Sequence, residues 1–414
     1  MMATIKPFRA LRPPVALAER VAALPYDVMS TEEAKRMADN NPYSFLHISR
    51  PEIDLPAAID GHSEPVYQKG SENLAGFLKS GILLQDKADS YYVYRQVMGS
   101  VVQTGLVVCS GVDDYQQGII KKHELTRADK EEDRVRHIDV LNANDEPVFY
   151  TYRQDASIDS LLKSVTAAKP EYDFTTDDAV RHTLWVVSDR ELIDSFTRAF
   201  AAIPTLYVAD GHHRSAAASR VRDIRKTNNP QHSGTEEYNY FLTVIFPDSE
   251  LNIMPYNRAV KDLNGYTVAE FMALVSRNFE ITPFHDRPGI GERHTFGMYL
   301  AGRWYVLSAR EESFDPADPV GCLDVSILQN NLLSPVLGIR NPRTDQRIHF
   351  VGGIRGDGEL ERLVESGDYE VAFSLFHTTI DELMALADAD KIMPPKSTWF
   401  EPKLRSGLFV HVLA

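Results

Sequence analysis

The chain has 414 residues, of which 43% are hydrophobic and 25% charged, a composition typical of globular proteins that excludes fibrous and low-complexity classes. Its length predicts two or three domains. The formal net charge of −15 argues against nucleic acid and anionic membranes as partners, so a bound anion would need a local basic pocket.

Helices and strands alternate along the first half. MSTEEAKRMADN predicts a helix, with Ser30 and Glu33 spaced as a capping box. NPYSFLHISRPE predicts a strand at 44–48, and SENLAGFLKSG a helix ended by Gly81. The run from Tyr91 predicts a hairpin that turns at Gly99. Helices are then expected in ADKEEDRVRHIDVLN, SIDSLLKSVTAA and DRELIDSFTRAFAAI, and strands in PVFYTYR, HTLWVVSD and TLYVAD.

The second half has the same mixture. YFLTVIFPD, IHFVGGI and VAFSLFH predict strands, and TFGMYLAGRWYVLSA predicts a hairpin that turns at Gly302. YTVAEFMALVSRNF, DVSILQNNLLSPVLG and TIDELMALADAD predict helices. The class is α+β. We expect a border near residue 240, between a region 1–240 that carries the HE and DGHHR motifs and a region 241–414 that carries the MPPKST loop, unless both form one intertwined domain.

The segment YVADGHHRSAAASR holds the densest chemistry of the chain. Gly211 permits a tight turn from strand to helix, and the N-terminus of that helix would offer N–H groups and a positive dipole to a phosphate. Asp210 is a candidate Mg²⁺ ligand and Arg214 a candidate phosphate clamp. His213 lies three residues after Asp210 on the same face, so we assign it to the site and His212 to packing. The alternative is an Asp cap followed by two surface histidines.

The block IIKKHELTRADKEEDRVRH follows an apolar strand edge. Glu124 could accept a proton from a substrate hydroxyl, and His123 and Arg134 are candidate phosphate contacts. A solvated, ion-paired helix is the alternative.

A proline-stiffened loop is predicted in MPPKSTWFEPKLRSG. Its Lys396, Ser397, Thr398 and Lys403 could bind phosphate oxygens. The alternative is a closing loop that buries Trp399.

Other patterns are weaker. Asn257 and Arg258 in MPYNRAV could reach a site, but a turn is the safer interpretation. The sequence contains no GxxxxGK[ST], HExxH or GxSxG motif. With two cysteines, no signal-peptide pattern and no apolar stretch that could span a bilayer, we expect a cytoplasmic protein.

Four blocks, PYDVMSTEEA, KKHELTRADKEEDR with NANDEPVF, VADGHHR and MPPKSTWFEPKLRSGL, together resemble a bacterial and archaeal family of proteins of unknown function. Its DGHHR core is similar to the ParB/sulfiredoxin superfamily, where a comparable turn binds nucleotide phosphates and some members are free L-serine kinases. The resemblance implies a ParB/sulfiredoxin-like mixed α/β core with additional N-terminal and C-terminal α+β elements. It assigns metal and phosphate handling to Asp210 and His213, whereas Glu124 as the base is our own placement.

The implied activity is phosphoryl transfer to a small hydroxyl compound such as L-serine. Mg²⁺ and a donor, which is ATP, ADP or pyrophosphate, are the implied cofactors. We expect a small-molecule substrate, no nucleic acid and no membrane partner, and the oligomeric state stays open. The alternative is a ParB-like regulatory protein that senses nucleotides without catalysis. A metal hydrolase built on His212, His213 and Asp210 ranks last, because neighbouring helix residues point roughly 100° apart and the two histidines make a poor ligand pair.

Overall fold

The computed structural model describes residues 3–413 and divides them into two compact units. The first unit comprises the chain up to Lys122, Thr126–Leu251 and the segment from Pro402 onwards. The second comprises His123–Leu125 and Asn252–Glu401. The border expected near residue 240 lies inside the first unit, to which the chain returns for its last residues.

Helices and strands alternate throughout the described chain. The helices are α1 (Ala18–Val21), α2 (Thr31–Ala38), α3 (Leu46–Ser49), α4 (Glu64–Lys79), α5 (Val112–Gln116), α6 (Ala128–Leu141), α7 (Ala156–Thr166), α8 (Arg190–Phe200), α9 (His212–Asn228), α10 (Val268–Val275), α11 (Asp324–Leu328), α12 (Gly356–Glu365) and α13 (Ile380–Asp388). The strands are β1 (Ile5–Lys6), β2 (Leu11–Arg12), β3 (Leu84–Gln85), β4 (Tyr91–Met98), β5 (Val101–Gly111), β6 (Ile120–Lys121), β7 (Ala143–Asn144), β8 (Val148–Tyr152), β9 (Tyr172–Thr175), β10 (Arg181–Val187), β11 (Leu206–Asp210), β12 (Tyr240–Pro247), β13 (Ile253–Met254), β14 (Tyr256–Val260), β15 (Phe279–Phe284), β16 (Thr295–Leu300), β17 (Arg303–Ala309), β18 (Ile348–Gly352), β19 (Val371–Leu375), β20 (Trp399–Phe400) and β21 (His411–Val412).

The first unit is built on a mixed sheet in the order β6-β11-β8-β12-β5-β4-β10-β9, with β1 paired to β5. β11 runs parallel to β6 and antiparallel to β8, which in turn runs parallel to β12. The expected α+β class is therefore confirmed at the level of a mixed α/β fold. β11 ends at Asp210, beyond a register shift against β8. The sheet thus delivers Asp210 to the start of α9.

Local sequence signals explain much of this unit. Ser30 and Glu33 form the predicted capping box at the start of α2, and β4 and β5 form the predicted hairpin. The strand predicted at 44–48 is wrong, because this stretch contains α3. The Ser49 N–H donates to the Phe45 carbonyl four residues earlier, which is a helical pattern. Phe45, Leu46 and Ile48 are three buried apolar residues within four positions. A run of this kind can pack into a core from one helical turn as well as from a strand.

An antiparallel sheet in the order β15-β17-β16-β19-β14-β18 forms the second unit. Adjacent residues of β14 lie in two different cores: Val260 packs with α10, α11 and α13, and Ala259 packs with α12. Apolar side chains therefore cover both faces of the sheet. The helix predicted from Asp324 ends as α11 at Leu328 and continues as a π turn over Gln329–Leu333.

Across residues 3–413, no helix has both the length and the apolar character needed to cross a bilayer.

The last residues of the chain are part of the core of the first unit. Leu408 is fully buried, whereas Leu78 on α4 is 42% exposed. We expect Leu408→Ala to lower the free energy of unfolding by about 2–5 kcal/mol, because it removes buried methyl groups and leaves a cavity. The matched Leu78→Ala should cost less than about 1 kcal/mol. Urea unfolding of both variants measures the difference, and equal losses would contradict a core role for this segment.

Candidate functional site

The turn between β11 and α9 needs glycine. Gly211 has φ of 93°, in the left-handed region. A Cβ atom at this position would lie 3.1 Å from Nε of Arg214 and 3.2 Å from Cγ1 of Val148. Gly211 thus permits both the bend and the return of the Arg214 side chain against the turn. This geometry places a helix N-terminus, a carboxylate and a guanidinium within five residues.

Asp210 forms an ion pair with Lys403. The Lys403 ammonium lies 2.8 Å from Oδ2 of Asp210, while Oδ1 accepts from the Gly211 N–H at 2.7 Å. The Lys403 side chain is 9% exposed. Burial alone would raise the pKa of Asp210, but the charges of Lys403 and Arg214 outweigh it and hold the pKa well below its usual range. Asp210 is therefore ionised at neutral pH.

Two buried glutamines of the β4–β5 hairpin fix the backbone that carries Lys403. The Gln96 side-chain amide donates to the Lys403 carbonyl at 2.8 Å, and the Gln103 amide donates to the Pro402 carbonyl at 3.2 Å. Both glutamines are fully buried, so their amides depend on these bonds. The position of the lysine is therefore set by the hairpin as well as by Asp210.

Arg214 is buried, and one of its N–H donors makes no hydrogen bond to a described residue. Its Nη1 donates to the Pro147 carbonyl, and Nη2 lies 3.9 Å from the carboxylate of Asp27. Its Nε is buried and, among the described residues, makes no hydrogen bond. Burial would lower the pKa of Arg214, but Asp27, Glu146 and Asp210 raise it above its ordinary value. A permanently charged group with an unused N–H is suited to an anion.

A small cavity with room for about one water molecule lies beside Arg214. Arg134, Asp145 and Glu146 also line it. Arg134 extends from α6 and pairs with Asp133 at 2.7 Å. The structure thus brings Arg134 and Arg214 to one cavity, although they are 80 positions apart in the sequence.

Glu146 is a buried carboxylate between these cations. Its Oε1 accepts from the Tyr26 N–H and the Ser406 hydroxyl, both at 3.0 Å, while Oε2 is buried without a hydrogen bond to any described residue. Burial, followed by the charge of Asp145, raises the pKa of Glu146 to about 7. Asp145 itself is held ionised by His137, 3.0 Å away. The pKa values of these two adjacent carboxyl groups are therefore shifted in opposite directions.

The two histidines of the motif have different surroundings. His212 is buried, whereas His213 is half-buried and its Nε2 accepts from the Arg127 backbone N–H at 3.1 Å. Because Nε2 is the acceptor, the ring proton of neutral His213 lies on Nδ1. His213 thus connects the start of α9 to the residue that precedes α6.

Five of the other predicted site residues lie in the second unit: His123, Glu124, Lys396, Ser397 and Thr398. The His123 carbonyl accepts from the Met393 N–H at 2.8 Å, so His123 is tied to the start of the MPPKST loop. In this loop the Ser397 hydroxyl donates to the Pro394 carbonyl at 2.6 Å, and Lys396 has φ of 59°. Glu124 and Thr398 are half-buried. Lys403, predicted with this loop, belongs instead to the first unit.

Sequence reasoning missed the carboxylates around Arg214. Asp27, Asp145 and Glu146 lie in the PYDV and NANDEPVF blocks, which were used for the resemblance but given no role. Two adjacent acids directly before the apolar strand that starts at Val148 were the available signal.

Asp210 has few partners that could share a metal. Among residues 3–413, no group of three His, Cys, Asp or Glu side chains could hold an ion.

The raised pKa of Glu146 predicts a pH-dependent stability. Native Glu146 keeps a proton that the unfolded chain releases above its ordinary pKa of 4.5, so this group makes the free energy of unfolding fall as pH rises to about 7. The slope is at most about 1.4 kcal/mol per pH unit. Glu146→Gln should remove this slope in urea titrations between about pH 4.5 and 7, and Glu72→Gln, with an exposed side chain, should keep it. An unchanged slope in Glu146→Gln would contradict the assignment.

Several solved structures are similar to this chain at low scores. A variant free serine kinase in complex with AMP has TM-score 0.36 and 13% identity, and the alignment covers 72% of this chain and 87% of that chain. A conserved hypothetical protein from Pyrococcus furiosus has TM-score 0.36 and 14% identity, with 74% and 95% covered. C-terminally truncated SbnI from Staphylococcus aureus has TM-score 0.39 and 10% identity, with 74% and 87% covered.

No curated protein matches the chain at a significant level. A family described as "Protein of unknown function (DUF1015)" matches residues 5–326, which is more than half of the chain. The chain therefore belongs to the DUF1015 family.

Proposed function

We propose that this protein is a phosphotransferase that transfers a phosphoryl group to a small hydroxyl compound. One observation carries the proposal: at the end of β11, the buried cations Lys403 and Arg214 converge on Asp210, where the helix α9 begins. Phosphoryl transfer requires positioned positive charge more than covalent chemistry. A carboxylate, two cations and a helix N-terminus supply such a field.

The anion would bind at the start of α9. The 17-residue helix directs the positive end of its dipole to this point. The unused Nε of Arg214 adds a charged donor. Because the chain as a whole carries a net charge of −15, attraction of a phosphate depends on this local group of cations.

The proposed reaction moves one phosphoryl group and one proton. The bond between the transferred phosphorus and the donor's bridging oxygen breaks, a bond to the acceptor oxygen forms, and the acceptor hydroxyl loses its proton. Asp210 holds the Lys403 ammonium, His213 and Arg214 contact the phosphates, and Arg134 adds positive charge beside Arg214. Mg²⁺, when bound through Asp210 and phosphate oxygens, would neutralise developing charge.

The proposed core fold, acceptor and donor come from the sequence resemblance. These are a ParB/sulfiredoxin-like core, L-serine as the leading acceptor, and ATP, ADP or pyrophosphate as the donor. Glu124, in the second unit, is the proposed base, and His123, Lys396, Ser397 and Thr398 are the proposed phosphate contacts of that unit. Gly211, predicted from the sequence as a phosphate contact, would act through the shape of the turn, because its backbone N–H already donates to Asp210.

Asp210→Asn tests the site directly. We expect formation of the phosphorylated acceptor to fall by at least about 100-fold, because the variant loses the charge that holds Lys403. The variant should also lose stability, since a buried ammonium remains unpaired. Mass spectrometry with L-serine, Mg²⁺ and each of the three donors measures the product.

A double variant separates catalysis from stability. Asp210→Asn combined with Lys403→Met removes both charges, so stability should recover while turnover should not. Asp223→Asn, on the exposed side of α9, is the control and should retain activity. Full turnover in Asp210→Asn, or no product from any donor with the wild-type protein, would refute the proposed reaction with serine.

Glu124→Gln tests the proposed base. We expect kcat to fall by about 10²–10⁴-fold and the acidic limb of its pH profile to disappear, because the amide cannot accept the hydroxyl proton. Glu132→Gln, with a side chain 66% exposed, is the control. An unchanged kcat with the acidic limb intact would assign the base elsewhere.

A further inference from the structure

Arg258 lies deep in the second unit. It is the central residue of β14 and is 3% exposed. Its cross-strand neighbours are Phe350 on β18 and Phe373 on β19, and its guanidinium carbon lies 5.3 Å from the centroid of the Phe350 ring. The side chain thus places a positive charge at the edge of an apolar core.

No carboxylate compensates this charge. Across the described chain, no Asp or Glu forms an ion pair or hydrogen bond with Arg258. Its Nη2 donates to the Lys396 carbonyl at 3.0 Å, while Nη1 is buried and makes no hydrogen bond to any described residue. Burial lowers the pKa of Arg258 to about 10, and Tyr256 opposes this only in part. The guanidinium therefore remains charged at neutral pH, and the Lys396 carbonyl and the nearby aromatic rings offset only part of its desolvation cost.

Other buried arginines are paired. Each has a carboxylate within contact distance; these pairs are Arg12 with Asp86, Arg134 with Asp133, Arg222 with Asp113, and Arg405 with Asp178. Arg214 also faces Asp27, although at 3.9 Å. Arg258 departs from this pattern, because its recorded protein contacts are a backbone carbonyl and aromatic rings.

The loop at Lys396 is tied to Arg258. The bond from Nη2 holds the Lys396 carbonyl, and the Thr378 hydroxyl holds the next carbonyl, that of Ser397, at 2.9 Å. The Lys396 ammonium lies 5.3 Å from the Tyr256 ring centroid. A second cation is therefore carried by the same loop that Arg258 orients.

We propose that Arg258 is the charged group of a binding site, in the second unit, for one oxyanion group of a small molecule, a phosphate or a carboxylate. A guanidinium offers only donors, and the remaining N–H groups on Nη1 and Nη2 form a fork that matches two oxygens of such a group. The pairing would supply the counter-charge that the protein lacks. The site does not depend on the function proposed for the turn at Asp210, because it is built from different residues.

The test compares wild type, Arg258→Met and Arg214→Met by hydrogen exchange with mass spectrometry. Each full-length protein is measured in sodium phosphate, sodium acetate and sodium chloride at equal ionic strength. We expect phosphate or acetate to slow exchange at residues 393–400 in wild type and Arg214→Met but not in Arg258→Met. Protection by phosphate alone identifies a phosphate site, and protection by acetate alone a carboxylate site.

Stability gives a second measurement. Arg258→Met should unfold at the same temperature as wild type or higher in chloride, because it removes an unpaired buried charge, and phosphate or acetate should no longer protect 393–400. Arg258→Lys retains the charge without the fork and should bind the anion about tenfold more weakly. If neither anion protects 393–400 in wild type, or if protection survives in Arg258→Met, the site is refuted. If an anion slows hydrogen exchange at residues 393–400 but not at residues 206–215, the result would count against the site at Asp210 and not against the site at Arg258.

Discussion

The first unit depends on an ion pair between positions 210 and 403. Lys403 is buried and Asp210 is half-buried, so the desolvation of each charge is offset by the other, by the charge of Arg214 and by the hydrogen bonds around the pair. The C-terminal segment must therefore return to the sheet before the turn at Asp210 acquires its final electrostatics. Gln96 and Gln103 hold the backbone of that segment, and Ser406 binds Glu146. The C-terminal segment is thus part of the structure that forms the candidate site.

The two units handle buried positive charge differently. In the first unit, carboxylates accompany Arg134 and Arg214, and the site resembles a charge network with one unused donor on Arg214. In the second unit, Arg258 has only backbone oxygen and aromatic faces. A carboxylate offsets the desolvation cost of a paired cation, whereas a buried cation without a carboxylate keeps a cost that a bound anion would offset. This difference favours binding as the role of Arg258.

Local signals predicted local structure well. The capping box at Ser30, the hairpin turn at Gly99 and the turn at Gly211 depend on residues adjacent in the sequence, and periodicity gave most strands and helices. The stretch at 44–48 was mispredicted because a short apolar run fits one helical turn as well as a strand. The DGHHR block was found because its residues are contiguous, but which charges surround it depends on packing.

The remaining part of the site could not be read from the sequence, because its partners come from distant segments. Asp210 and Lys403 are 193 positions apart. The raised pKa of Glu146 arises mainly from burial, which the spacing of residues in the sequence does not reveal. Its carboxyl titrates near neutral pH in the cavity that Arg214 lines. An anion near Arg214 would compete for the positive charge that Glu146 now experiences and would favour its protonated form. Proton uptake at Glu146 would then offset part of the added negative charge, so a buried carboxylate beside two arginines is compatible with an anion site.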